Sequence, residues 1–321
     1  MIRSFVFNQS KLAGQDVNLD FLSVMLHDEG VHVWVDVCEG TDQETKAVLE
    51  GVFNFHPLAI EDCLAPSELP KVDDYENCVF MVIHGVDYSH DVHEFRTNEL
   101  NMFIGKNFLV TVHRNPMRSV AATIDRVTRN APAVARAPDR LTYTILDSLL
   151  ENYGPALQEL SSEIEDVEET AVRGQSREVL SRVLQLKRQV QRLRQIVGPQ
   201  REVITRLAHG EFKIVRAHML PYYRDLLDAL VRISDRTDSY RDALTGVLHI
   251  YTSMQQMVIN DFIKVLTVAA TLALPILAVT SFYGMNFPLP ELKWPHPHLW
   301  VFAVTGALTV LVWLWLRRRG G

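Results

Sequence analysis

The sequence of 321 residues has few cysteines and no excess of basic residues, and each shortage excludes a class of protein. Cys38, Cys63 and Cys78 are odd in number and lack the CxxC spacing of metal sites, which favours a reducing compartment. The formal net charge of -7 argues against a nucleic-acid binder, which normally presents a basic face. We therefore expect no nucleic-acid partner.

Catalytic motifs are also missing from the sequence. No phosphate loop, nucleophile elbow or zinc-ligand spacing appears, so we predict neither an enzyme nor a bound cofactor. His84, His90 and His93 lie in a strand-and-loop region at a spacing that favours ordinary core or surface positions. Residues 1–10 contain no apolar core of the length that an export signal requires, so the N-terminal domain is expected to be cytoplasmic.

Charge is absent from two stretches near the C-terminus. Residues 265–290 and 294–316 contain no Asp, Glu, Lys or Arg. Each stretch is long enough to cross a bilayer, which takes about 20 apolar helical residues. The link between them contains Tyr283-Gly284-Met285-Asn286-Phe287, so the sequence predicts a tight membrane hairpin.

Basic residues orient this hairpin. Lys264 precedes the first span and Arg317-Arg318-Arg319 follows the second, so the positive-inside rule places both on the cytoplasmic side. The loop that contains Glu291 then lies outside, where its carboxylate would attract cations. We expect a multi-pass protein of the plasma (inner) membrane, in contact with the lipid bilayer and with both termini in the cytoplasm.

The rest of the chain predicts an α+β membrane protein with an N-terminal cytoplasmic α/β domain. Val31–Val37 alternates with period two and is rich in β-branched residues, which predicts a strand. Further strands are expected at 78–84, 99–104 and 108–113, and helices at 45–52 and 57–63.

Helices dominate after this domain. A helix predicted over 141–164 leads into an acidic patch, and a basic helix over 176–197, ended by Gly198-Pro199, follows it, which predicts an antiparallel hairpin. The acidic patch consists of Glu163, Glu165, Asp166, Glu168 and Glu169. The acids form either a solvated face or a region that concentrates divalent cations near the inner mouth of a pore.

A long stalk helix is predicted next. After Pro221, apolar and small residues recur at steps of three and four, and no proline interrupts the run before Pro275. A helix from Pro221 to Tyr283 would be on the order of 90 Å long, so it would continue from the cytoplasm through the first membrane span.

These patterns divide the chain into six segments. They are the α/β domain (1–135), the helical hairpin and stalk (136–260), the first transmembrane helix (261–283), the external loop (284–298), the second transmembrane helix (299–316) and a basic cytoplasmic tail (317–321).

One face of the first membrane helix is partly polar, and polar side chains at membrane depth need a partner or water. Helix packing through hydroxyls would satisfy them, and so would a water-filled pore. A single hairpin cannot enclose a pore, so conduction would require an oligomer with this stripe on its axis. The candidate pore-lining residues are Asn260, Ile263, Leu266, Thr267, Thr271, Leu274, Leu277 and Ser281.

The turn itself is a candidate selectivity filter. Asn286 offers a neutral carbonyl oxygen next to Gly284, which permits backbone shapes that other residues resist. A ring of such amides could hydrogen-bond to the water shell of Mg²⁺, which that ion gives up reluctantly. Apolar rings further in could gate the pore by dewetting.

Tyr283-Gly284-Met285-Asn286, with Pro290-Glu291-Leu292 after it and Asn260-Asp261-Phe262 before it, resembles the CorA magnesium transporter family. The resemblance covers essentially the whole chain. It implies a funnel-shaped homopentamer in which Gly284, Met285 and Asn286 form the outer filter and Asn260 lines the inner pore.

Three positions depart from this family. The acids of its magnesium-sensing gates are replaced by His249 on the stalk and by Ser89 on the α/β domain, with Asp91 nearby. Leu277 replaces a threonine of magnesium carriers. Imidazole suits Zn²⁺, Co²⁺ or Ni²⁺ better than Mg²⁺.

The sequence therefore predicts a divalent cation transporter, first of all for Mg²⁺ and also for Co²⁺ or Ni²⁺. A Zn²⁺ transporter of the related zinc branch, with or without proton coupling, is the alternative. A membrane-tethered scaffold or sensor that conducts nothing is a third hypothesis, and the polar stripe counts against it.

Overall fold

The computed structural model describes the chain except for residues 29, 68, 90–93, 174–176, 286–289, 294 and 320–321. It divides into two compact units, Met1–Leu248 and His249–Gly321. The first unit is an α/β domain with attached long helices, and the second holds the apolar helices of the C-terminus.

A seven-stranded sheet forms the centre of the first unit. Its strands are β1 (Ile2–Asn8), β2 (Lys11–Gln15), β3 (Val31–Cys38), β4 (Lys71–Tyr75), β5 (Cys78–Ser89), β6 (Glu94–Ile104) and β7 (Phe108–His113). They lie in the order β2-β1-β3-β7-β6-β5-β4, with β3 and β7 parallel and the other neighbours antiparallel. The four strands predicted from period-two patterns are confirmed.

Helices cover both faces of the sheet. They are α1 (Leu19–Met25), α2 (Asp42–Lys46), α3 (Pro57–Leu64), α4 (Arg118–Val134), α5 (Pro138–Glu151), α6 (Tyr153–Val172), α7 (Arg177–Ala208) and α8 (Leu220–Tyr283). In β3, Val33 and Val35 pack in the core shared with α1 and α3, whereas Trp34 packs in the core shared with α4 to α8. Alternation along one strand thus fills two cores in a three-layer domain.

The basic helix α7 does not end at Gly198-Pro199, contrary to the sequence prediction. It continues to Ala208, although Pro199 has no N–H to give to the preceding turn. Val203, Ile204 and Leu207 beyond the proline are buried in the main core. Their burial, worth about 1.5–3 kcal/mol for each large side chain, outweighs a proline penalty of about 3 kcal/mol.

The predicted stalk helix is confirmed as a single element, α8. Its apolar stripe is buried through Leu230 and Leu244 as far as Val247. The Tyr240 hydroxyl donates to the carbonyl of Leu157 on α6 at 2.9 Å. The stripe therefore holds the first part of α8 against the helices of the same unit.

Side chains cover the edge of β5 where β4 stops. β4 pairs only with residues 78–82 of β5. At His84 the backbone N–H donates to Gln200 Oε1 at 3.0 Å, and the backbone carbonyl accepts from the Tyr153 hydroxyl at 2.8 Å. Gln200 and Tyr153 are fully buried, so they replace the missing strand as hydrogen-bond partners.

A buried polar network joins β3 to β7. Trp34 Nε1 donates to Thr111 Oγ1, which donates to Asp36 Oδ1 at 2.6 Å. The two ring nitrogens of His113 lie 3.1 Å from Asp36 Oδ1 and 2.6 Å from the Asn115 carbonyl. A carbonyl and a carboxylate oxygen can only accept, so this geometry favours an imidazole that donates from both nitrogens and is therefore protonated.

The charge of His113 predicts a pH-dependent stability. Burial lowers the pKa of His113, but the hydrogen bond and charge of Asp36 and the Asn115 carbonyl outweigh it and raise the pKa above its ordinary value. A histidine whose pKa is higher in the folded state than in the unfolded state stabilises the fold. This stabilisation is complete at pH values below the unfolded-state pKa, and it is lost as the pH rises through the folded-state pKa.

We expect the His113→Asn variant to lose this contribution and to be destabilised by about 3–5 kcal/mol near neutral pH, because Asp36 keeps its buried charge. Thermal unfolding of both full-length proteins across the pH range measures the difference. That difference should shrink towards alkaline pH, and a constant difference would contradict the assignment.

Candidate ion-conduction site

The second unit contains two helices whose length and composition would allow them to cross a membrane. The first is the C-terminal part of α8, which ends at Tyr283, and the second is α9 (Pro297–Arg319). A 3₁₀ turn, Pro290–Lys293, lies in the segment between them. The two predicted apolar helices are therefore present, and their arrangement as a membrane hairpin stays a prediction.

The polar side chains predicted to line a pore lie along α8. Asn260 is exposed, and its Oδ1 accepts from Gln256 Nε2 at 3.4 Å, one turn earlier. The Thr271 hydroxyl donates to the Thr267 carbonyl at 2.7 Å, so the hydroxyl proton is hydrogen-bonded within the helix. Its oxygen lone pairs are then left to accept hydrogen bonds from water.

The apolar members of the predicted stripe are more exposed than an apolar side chain in a folded core. Ile263, Leu266, Leu274 and Leu277 have 53%, 60%, 63% and 59% of their surface accessible. Val279, in contrast, is buried, and it lies about 140° around the helix from Leu274. Val265, on the side of the helix opposite Leu274, is also 68% exposed, so one chain leaves nearly the whole surface of this part of α8 uncovered.

Pro275 adds an oxygen acceptor to the same helix. Proline lacks an N–H, so it has no proton to donate to the carbonyl of Thr271, four residues earlier. The helix nevertheless continues through Pro275 to Tyr283. The carbonyl of Thr271 is a functional candidate that the search for polar side chains missed, and the proline was its signal in the sequence.

Gly284 ends α8 with close backbone packing. Its N–H donates to the Thr280 carbonyl at 2.9 Å, and the N–H of Met285 donates to the Phe282 carbonyl at 3.4 Å. A Cβ added at residue 284 would lie 2.9 Å from the Thr280 oxygen, too close for a carbon atom. Glycine is therefore required by this turn for steric reasons, and exposed Met285 follows it.

Other members of the predicted site are less fully described. Asn286 lies outside the described residues. Ser281 is exposed on the last turns of α8, near the Gly284 end. Glu291 is half-buried in the 3₁₀ turn, and its Oε2 atom has no hydrogen-bond partner among the residues that the structure describes.

The predicted regulatory metal site is not brought together by described side chains. His249 is exposed on α8 in the second unit, and its carbonyl accepts from the Thr252 hydroxyl at 3.0 Å. Ser89 is the last residue of β5, with its side chain outside the described part, and Asp91 is outside it altogether. Within the described ranges, no group of three or more His, Cys, Asp or Glu residues is arranged to hold a metal ion.

The steric role of Gly284 predicts a substitution effect. We expect Gly284→Ala to destabilise the end of α8 by about 1–3 kcal/mol, a typical cost of overpacking. Gly306→Ala in α9 is the matched control, because beyond the backbone of its own helix and its chain neighbours a Cβ there meets no described atom within 4 Å. Thermal unfolding in detergent should separate the two variants, and equal unfolding temperatures would contradict the close packing at Gly284.

Comparisons with known proteins agree over most of the chain. A family described as CorA-like Mg²⁺ transporter protein matches residues 29–318. The chain is 28% identical over 294 residues to the cobalt/magnesium transport protein CorA of Thermotoga maritima, covering 91% of this chain and 84% of that protein.

Solved structures share the fold at low sequence identity. The complete CorA magnesium transporter from Methanocaldococcus jannaschii superposes with a TM-score of 0.81 at 22% identity, over 99% of this chain and 98% of that chain. The ZntB cytoplasmic domain from Vibrio parahaemolyticus gives a TM-score of 0.59 at 12% identity, over 70% of this chain and 88% of that domain.

Proposed function

Because this chain belongs to the CorA-like Mg²⁺ transporter family, whose members are ion transporters and not enzymes, we propose that it moves divalent metal cations through a membrane pore. Mg²⁺ is the first candidate cargo, with Co²⁺ and Ni²⁺ as further ones. The observation that carries the proposal is the polar stripe of α8, where exposed Asn260 and the oxygen atoms of Thr271 precede the tight turn at Gly284.

The pore requires several copies of the chain. A single hairpin cannot enclose a pore, so a pore along the polar stripe of α8 needs an axis of symmetry that brings equivalent stripes together. We assign the assembly as a homopentamer, on the family resemblance. Rings of Ile263, Leu266, Leu274 and Leu277 would then form apolar constrictions that close by dewetting.

Asn286 is assigned as the outer selectivity ring. Its amide oxygens would accept hydrogen bonds from the water shell of an entering Mg²⁺, which is costly to remove. The close packing of Gly284 on Thr280 supports this assignment, because it fixes where the chain leaves the helix two residues before Asn286. The outer carboxylate of Glu291 would raise the local cation concentration.

The membrane potential would drive uptake in the assigned topology. With both termini in the cytoplasm of a plasma (inner) membrane, a divalent ion gains about 4.6 kcal/mol per 100 mV on entry, twice the value for a single charge. The carbonyl of Thr271 and the amide of Asn260 would offer oxygen acceptors along the path.

The filter assignment predicts that Asn286→Ala abolishes Mg²⁺ flux. Loss of the amide ring removes the acceptors for the hydrated ion while leaving the helices intact. Flux into proteoliposomes and oligomer mass in detergent measure the two consequences. Asn8→Ala, at an exposed end of β1, is the control that should conduct normally.

Full Mg²⁺ flux through the Asn286→Ala protein would refute the filter assignment. A monomeric mass for the wild-type protein would refute the axial pore.

Zn²⁺ transport is the second candidate, and His249 favours it. An exposed imidazole replaces the stalk acid of magnesium-sensing gates, and nitrogen ligands suit Zn²⁺ better than Mg²⁺. We assign His249, Asp91 and Ser89 as a candidate regulatory metal site on this basis.

Flux with and without a pH gradient distinguishes the two cargoes. We expect Mg²⁺ flux that does not depend on the proton gradient, because the proposed filter handles a hydrated ion without a titrating group. Zn²⁺ flux that requires the gradient, with no Mg²⁺ flux, would establish the zinc alternative instead. If the protein transports neither ion, the remaining hypothesis is the membrane-tethered scaffold or sensor that conducts nothing.

A further inference from the structure

Two histidines lie side by side at the start of α9, in the second unit. His296 and His298 are both exposed to solvent. Their ring centroids are 5.9 Å apart, and the planes of the two rings are at 83° to each other. Neither residue is assigned to the pore, to the filter or to the candidate regulatory site, so their proximity has no role in ion conduction as proposed.

A tight turn brings the two rings together. The N–H of Leu299 donates to the His296 carbonyl at 3.1 Å, which closes a four-residue turn with Pro297 at its second position. His296 has a φ of 68°, in the left-handed region. This conformation is unusual for a residue before proline, and sparsely populated backbone conformations cluster at functional sites.

Two imidazoles at this separation are close enough to share one metal ion. A zinc ion lies about 2.0–2.1 Å from an imidazole nitrogen, so two rings bound to one tetrahedral ion have centroids about 5 Å apart. The observed separation of 5.9 Å is slightly longer. Because both side chains are exposed, rotation about their side-chain bonds closes the difference, and solvent supplies water for the remaining coordination positions.

The surroundings favour ions that prefer nitrogen ligands. Residues 294–316 contain no Asp or Glu, and Glu291 before them is half-buried in the 3₁₀ turn. The first turn of α9 also carries the positive end of the helix dipole, which disfavours a cation held by charge alone. Mg²⁺ prefers oxygen ligands and gains little from two imidazoles, whereas Zn²⁺, Co²⁺ and Ni²⁺ bind imidazole well.

We propose that His296 and His298 together bind one divalent transition-metal ion, of the class Zn²⁺, Co²⁺ or Ni²⁺, with water completing its coordination. Both ligands come from one chain, so binding requires neither the pentamer nor ion flux. In the proposed topology the pair lies in the external loop (284–298) that also contains Asn286, so the ion would be held on the side where cations enter. Only this external location rests on the proposed function.

Isothermal titration calorimetry tests the proposal, with Ni²⁺ added to untagged, metal-stripped full-length protein in detergent and a large excess of Mg²⁺. We expect one Ni²⁺ per chain that Mg²⁺ does not displace. His296→Asn and His298→Asn should each weaken this binding at least about tenfold, because the second imidazole of a pair binds at high effective concentration. His218→Asn, at an exposed histidine of the first unit, is the matched control that should bind normally.

The double variant distinguishes a shared ion from two independent histidines. If both rings hold one ion, either single substitution destroys the pair, and the second substitution should add little to the loss of affinity. Asparagine tolerates a positive φ, so His296→Asn can keep the turn. Thermal unfolding of all three variants should therefore match that of the metal-free wild-type protein.

The proposal is overturned if either single variant binds Ni²⁺ as the wild-type protein does. It is also overturned if each substitution removes one of two ions and leaves the affinity for the other unchanged, or if the wild-type protein shows no saturable Ni²⁺ binding. None of these results bears on Mg²⁺ flux, which tests the proposed function separately.

Discussion

Hydrocarbon offers no hydrogen bonds, so each backbone N–H and carbonyl inside a membrane must find its partner in the protein or in enclosed water. α8 meets this requirement by remaining one helix up to Tyr283. The regular hydrogen bonding of the helix changes at two places. Pro275 has no N–H to donate to the carbonyl of Thr271, and the helix ends in the turn at Gly284. Both are places where backbone geometry, and not side-chain charge, determines which oxygen atoms are offered to water or to an ion.

The same constraint makes the membrane unit incomplete as a single chain. Large apolar side chains remain exposed all around this part of α8, with Leu274 and Val265 on opposite sides, and Val279 is buried. Lipid could cover Leu274 or Leu277, but it cannot satisfy the amide of Asn260.

Much of this architecture could be predicted from the sequence because the relevant signals were local. Period-two alternation in Val31–Val37 predicted the strand β3. The helical pattern after Pro221, which no proline interrupts before Pro275, predicted α8. The end of α7 was predicted wrongly, since the burial of Leu207 beyond Pro199 depends on contacts distant in sequence. The sequence indicated that Gly284 allows backbone conformations that other residues resist. Its close approach to the Thr280 oxygen could be seen only in the structure.

The side chains that close the free edge of β5 also protect the assembly. An oligomer holds copies of the same sheet at high effective concentration, at which a bare strand edge recruits a neighbouring edge and builds an intermolecular sheet. Gln200 and Tyr153 occupy the N–H and the carbonyl of His84, so this residue offers no free backbone group to a neighbouring strand.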